Sequence, residues 1–132
     1  MYMKDRQKSN STHVNENAIA LKAFFKITEK WELSSDQEMI LLGVPKSTFY
    51  NYKRDKKTSS LSKDTLERIS YILGIYKALR ILLPTEDAAN KWIKKSNTAP
   101  LFNGKSALDM LMKGHVVDLA DVRRYLDAER GW

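Results

Sequence analysis

Ser35-Asp36-Gln37-Glu38-Met39-Ile40-Leu41-Leu42-Gly43-Val44-Pro45-Lys46-Ser47-Thr48-Phe49-Tyr50-Asn51-Tyr52-Lys53-Arg54 is the stretch that decides how this chain reads. Two short helical patterns flank a tight turn. That is the layout of a helix-turn-helix, whose first helix crosses the phosphate backbone of DNA and whose second lies in the major groove. Ser34 or Ser35 can cap the first helix, and Glu38, three residues after Ser35, suits a capping box. Such motifs commonly carry an apolar residue where Glu38 stands. Gly43 begins the turn, since a residue without Cβ enters positive φ without a clash, and apolar Val44 pins the turn to the core. Phe49 and Tyr52, three apart, face inward from the second helix. The opposite face then shows Lys46, Ser47, Tyr50, Asn51 and Arg54. Asparagine can pair bidentately with adenine and arginine with guanine. Ser47 and Thr48, near the helix start, can donate to phosphate, and Lys53, Lys56 and Lys57 add positive charge. The plainer reading of the same residues is a solvated, charged face on a helical hairpin.

Charge distribution bears on that choice. Residues 46–57 hold five basic residues (Lys46, Lys53, Arg54, Lys56, Lys57) against one acid (Asp55), a balance of +4. Residues 85–132 hold eight basic and seven acidic residues, a balance of +1. The formal net charge of +7 is therefore concentrated in the middle of the chain, as expected of a surface that meets a polyanion. The near-neutral C-terminal third implies a different partner.

With 132 residues, the chain suffices for one compact domain or two small ones sharing a core. Five Gly and three Pro are too few for the turns of a β-sandwich or barrel. No apolar run is long enough to span a membrane. The polar start has no signal-peptide character, and the absence of cysteine fits a reducing, cytoplasmic setting. The expected fold class is all-α.

Outside the central motif, residues 1–14 read as a frayed, disordered tail. Ala20, Phe24, Ile27 and Trp31 make one face of a helix. Lys56–Ser60 reads as a connector, and Ser62 opens the longest helical pattern. In it Leu66, Ile69, Leu73, Tyr76 and Leu83 form one stripe, and Ile72, Ile75, Leu79 and Leu82 another. So wide an apolar surface is buried against more than one neighbour, a dimer partner being one option. Pro84 ends this helix. Thr85 caps the next, which carries Trp92 and Ile93. Ser106 and Asp109 form a capping box, and Asp118 and Asp121 open a last helix with Leu119, Val122, Tyr125 and Leu126 on its apolar side. The expected division is a tail at 1–14, a DNA-binding domain at 15–83 and a second helical domain at 84–132.

Nothing suggests catalysis. His13 and His115 stand far apart with no acid-base constellation around them, and Asp118 and Asp121 suit a helix start. No glycine-rich phosphate loop or metal-ligand spacing is present, so no cofactor and no metal are expected.

The second half carries a distinctive succession: Trp92-Ile93, Leu101-Phe102-Asn103-Gly104-Lys105-Ser106, Leu108-Asp109-Met110-Leu111, Val122-Arg123-Arg124-Tyr125-Leu126-Asp127 and Arg130-Gly131-Trp132. Together with Leu42–Tyr50 and Arg68–Leu79, it resembles the Xre/MbcA/ParS-like antitoxin family over roughly residues 20–132. The chain departs from the family's pattern at Ser96-Asn97 and at Ala107, where prolines are common. The resemblance implies an Xre-type helix-turn-helix bundle followed by a C-terminal helical toxin-binding domain. It implies a type II antitoxin, not an enzyme, that binds and inhibits a RES-domain, NAD-degrading toxin and represses its own operon. The expected partners are that toxin, operator DNA and a second copy of the chain. In the family the C-terminal end lies at or near the toxin's active-site cleft, which makes Arg123, Tyr125, Arg130 and Trp132 the candidate toxin contacts. From the residues alone, a terminal tryptophan is either a free end or an anchor in a partner's pocket. The alternative for the whole chain is a stand-alone DNA-binding regulator, distinguished by whether a RES-like protein is encoded next to it.

Overall fold

A computed structural model describes the backbone of residues 2–54 and 60–131, with side chains described from residue 16 onward. The helices are α1 (Tyr2–Lys30), α2 (Ser35–Leu42), α3 (Lys46–Arg54), α4 (Lys63–Leu82), α5 (Glu86–Trp92), α6 (Ala107–Leu111) and α7 (Val116–Glu129). Among the described residues the only β pairing is an isolated bridge between Ser96 and Ser106, which closes the loop joining α5 to α6. No described helix is long and apolar enough to cross a membrane.

α1 departs from the sequence reading. Its 29 residues make it longer than α4, with 20, and its backbone includes the segment read as a frayed tail. Residues 1–14 contain neither Gly nor Pro, the strongest helix breakers; their side chains lie outside the described residues. The stripe further on is as expected: Phe24, Ile27 and Trp31 are buried, joined by Leu21. α1 then ends without glycine. Glu32 takes φ +55°, and the Leu33 amide reaches back to the Thr28 carbonyl at 3.0 Å. The Lys94 ammonium donates to the Glu32 carbonyl at 3.0 Å, tying this turn to the end of α5.

α4 is the spine. It packs against α1, α2, α5 and α7, which accounts for its two apolar stripes. Ile69, Ile72, Ile75, Ala78 and Leu79 are buried, while Leu66, Leu73, Tyr76 and Leu82 are half-buried at the flanks. Gly74 lets α7 come close. A Cβ there would stand 1.7 Å from an Arg123 guanidinium nitrogen, so that side chain lies directly across the helix. Ser62 caps α4, its hydroxyl accepting from the Thr65 amide at 3.1 Å, and Leu83 is the C-cap just before Pro84.

The remaining caps are local. Thr85 caps α5, and Ser106 and Asp109 form a reciprocal box on α6. Ala107 is the first residue of α6, a position that tolerates proline without requiring it, so α6 forms here with alanine. α7 starts after His115, whose side chain makes no cap bond; Asp118 is buried in the first turn and Asp121 pairs with Arg124 at 2.8 Å.

Glu86, at the start of α5, binds the Lys30 ammonium at the end of α1 and lies 3.4 Å from Arg80 of α4. The hydrogen bond from Lys30, with the charges of Lys30 and Arg80, holds its carboxyl below the ordinary range. A lowered carboxylate contributes stability above its unfolded pKa and loses it as pH falls through the folded value. Wild type should therefore melt above Glu86→Gln at pH 7, and thermal melts of the two should converge once the pH drops below that value.

Candidate functional site

The turn between α2 and α3 is built from Gly43 and Arg68. Gly43 sits at φ +66° and its amide bonds the carbonyls of Met39 and Ile40, closing α2 in the left-handed conformation that glycine tolerates best. The Arg68 guanidinium covers it. Arg68 Nε bonds Asp64 at 2.9 Å and an Nη reaches the Ile40 carbonyl at 3.4 Å. A Cβ on Gly43 would meet this guanidinium at 2.7 Å. Gly43→Ala should therefore cost about 1–2 kcal/mol from the backbone conformation alone, measurable as a fall in the urea midpoint.

At the N-terminus of α2 the structure selects one of the two expected caps and corrects the capping box. Ser34, not Ser35, is the cap, and Gln37 is its reciprocal partner. That releases Glu38 for another task. Glu38 is 4% exposed, accepts the Thr28 hydroxyl of α1 at 2.5 Å and pairs with Lys53 of α3 at 3.4 Å. One buried carboxylate thus joins three helices where an apolar residue is common. The Lys53 ammonium also lies 4.3 Å from the centre of the Phe25 ring, a cation–π position. A cleft of about 590 Å³ opens beside this group, lined by Leu21, Phe25 and Leu33 with Lys22, Lys26 and Glu29 among its polar wall.

α3 divides as its spacing predicts. Phe49 is fully buried and Tyr52 nearly so, with Phe49 edge-on to Phe25 at 6.0 Å. Lys46, Ser47, Tyr50, Asn51 and Arg54 are exposed and Thr48 is half-buried. Arg54 donates to the Asn51 carbonyl oxygen at 2.5 Å, so the two side chains best suited to reading bases form one unit. Lys53 was grouped with the DNA-facing cations, but the structure turns it toward Glu38 and Phe25. Lys56 and Lys57 lie outside the described residues. Lys53→Ala leaves Glu38 buried without its cation. It should lower the melting temperature while changing the salt dependence of DNA binding less than Arg54→Ala does.

The expected toxin contacts that the structure describes lie on α7 and at its C-cap, Arg130. Asp127 gathers Arg123, at 3.1 Å, and Arg130, at 3.6 Å. Arg123 lies across Gly74 and borders a shallow hollow of about 340 Å³ between α4 and α7, which Tyr71, Ala120 and Arg124 also line. Arg130 is largely covered, with 10% of its side chain exposed. Tyr125 belongs to an aromatic row. It stands edge-on to buried Phe102 at 5.1 Å, and Phe102 stands edge-on to Trp92 at 5.8 Å, so the row fastens the Ser96–Ser106 loop to α7. Trp132 lies outside the described residues. Among the described residues no cluster of three His, Asp or Glu can hold a metal ion.

Residues 12–74 match an antitoxin Xre-like helix-turn-helix domain, and residues 78–131 match the antitoxin Xre/MbcA/ParS C-terminal toxin-binding domain. The chain belongs to the Xre/MbcA/ParS antitoxin family. It is also similar to an uncharacterized protein, y4oB, of Sinorhizobium fredii, 50% identical over 112 residues that cover 84% of each chain. This antitoxin therefore pairs a DNA-binding half with a toxin-binding half, both of them binding modules. The border between the two matches, residues 74–78, falls inside α4, so one continuous helix serves both halves.

Proposed function

We propose that this antitoxin binds and inhibits a RES-domain, NAD-degrading toxin and represses its own operon as a cytoplasmic homodimer. The match of residues 78–131 to a toxin-binding domain is the observation that carries the reading, and the resemblance in the Trp92–Trp132 succession supports the RES class. On the toxin side, Tyr125 and Arg123 border the surface, Arg130 braces the end of α7, and Trp132 follows it. On the DNA side, Ser47, Tyr50, Asn51 and Arg54 read the groove, Lys46 meets phosphate and Thr48 flanks them. Lys56 and Lys57 extend the basic stretch beyond α3. A dimer would present two recognition helices to half-sites about one DNA turn apart.

The test is co-expression with the protein encoded next to it, capture through a tag, and an assay of NAD consumption. A stable complex with suppressed consumption, restored by trimming Arg130–Trp132, is the expected result. No complex, or a complex that leaves NAD consumption intact, overturns the assignment and leaves a stand-alone regulator. In the same complex, Asn51→Ala and Arg54→Ala should each weaken binding to the DNA upstream of the gene by about 5- to 150-fold, the worth of one bidentate base contact. Toxin capture should be unchanged.

A further inference from the structure

Of the cations around the helix-turn-helix, Lys46 is exposed directly after the turn, while two others are committed within the protein. Lys53 is held by Glu38 and Phe25, and Arg68 by Asp64 and the Ile40 carbonyl. A second uncommitted charge reaches this turn from the other half of the molecule. The α6–α7 loop, Met112-Lys113-Gly114, lies against Met39, Ile40, Gly43 and Val44 across a shallow cleft of about 400 Å³. A Cβ on Gly114 would stand 3.6 Å from the Ile40 side chain, which is ordinary contact. Lys113 is exposed, and no ion pair holds it among the described residues. Lys105, also exposed, lines a second small cleft together with Lys113. The acid in that cleft, Asp109, is engaged by the Ser106 cap, which with Lys105 nearby holds its carboxyl below the ordinary range.

We propose that Lys113, in the toxin-binding half, is a DNA phosphate contact that flanks the recognition helix, with Lys105 extending the same positive edge. The inference rests on the DNA-binding reading. α3 enters the groove from the turn at Gly43–Pro45, so a cation packed beside that turn faces the strand bordering the groove. The contact carries no sequence information: it positions the duplex, while Asn51 and Arg54 read it.

The experiment measures binding of the full chain to two fluorescent duplexes, one from the DNA upstream of its gene and one of random sequence, over a series of salt concentrations. Lys113→Gln should weaken binding to both duplexes by the same factor. It should also reduce the slope of log K against log salt by about 0.9 per protomer, one released counterion. Lys77→Gln, which removes an exposed lysine of α4 outside the cleft, controls for net charge. Asn51→Ala should instead erase the preference for the upstream duplex and leave the slope nearly intact. Equal slopes for Lys113→Gln and Lys77→Gln would overturn the proposal while the helix-turn-helix reading stood. Absence of binding by the unsubstituted chain would overturn both. Lys113 is exposed, so matching thermal melts will show that the substitution leaves the fold intact.

Discussion

Burying the two apolar stripes of α4 is the constraint around which this molecule is built. A helix that is apolar on two stripes has no stable solution as a surface helix. It needs α1, α2, α5 and α7 packed against it. Gly74 sets how near α7 comes, because the Arg123 guanidinium occupies the space a side chain would take. Smaller ties, Glu86 to Lys30 and Lys94 to the Glu32 carbonyl, then register the end of α1 against α5. Neither half has a core of its own. The buried residues of both halves, Phe24 and Phe49 as well as Ile93 and Leu119, belong to one core cluster.

The DNA-binding half shows how a polar core group substitutes for an apolar one. Glu38 loses water on burial, a cost offset only when its oxygens are satisfied. Thr28 and Lys53 do that from α1 and α3. Breaking either contact leaves a buried carboxylate short of a partner, a larger penalty than the net worth of the contact itself.

Much of this was legible in the sequence. The stripe from Phe24 to Trp31, the inward Phe49 and Tyr52, the glycine turn and the Ser106–Asp109 cap all rest on spacing within one helix or one cap, and local rules suffice for them. What escaped depended on tertiary neighbours. Ser34 and Ser35 are equivalent as letters, and only the entry angle of the chain selects Ser34. Lys53 looked like one more cation on a basic helix because its partners, Glu38 and Phe25, sit 15 and 28 residues away on other elements. The position of Lys113 beside Gly43 has no local signal at all. For Arg123, an arginine on an amphipathic helix reads as solvated until the glycine beneath it, on another helix, is known.

The pairing of Glu38 with Lys53 also adds a polar tie to the seat of α3. The seat of α3 is held by Phe49, Tyr52 and Lys53, none of which belongs to the face bearing Ser47, Tyr50, Asn51 and Arg54. On that outer face Tyr50 still stands edge-on to buried Phe49 at 5.2 Å, whereas Ser47, Asn51 and Arg54 are exposed. Substitutions at Ser47, Asn51 and Arg54 therefore leave Phe49, Tyr52 and the Glu38–Lys53 pair in place.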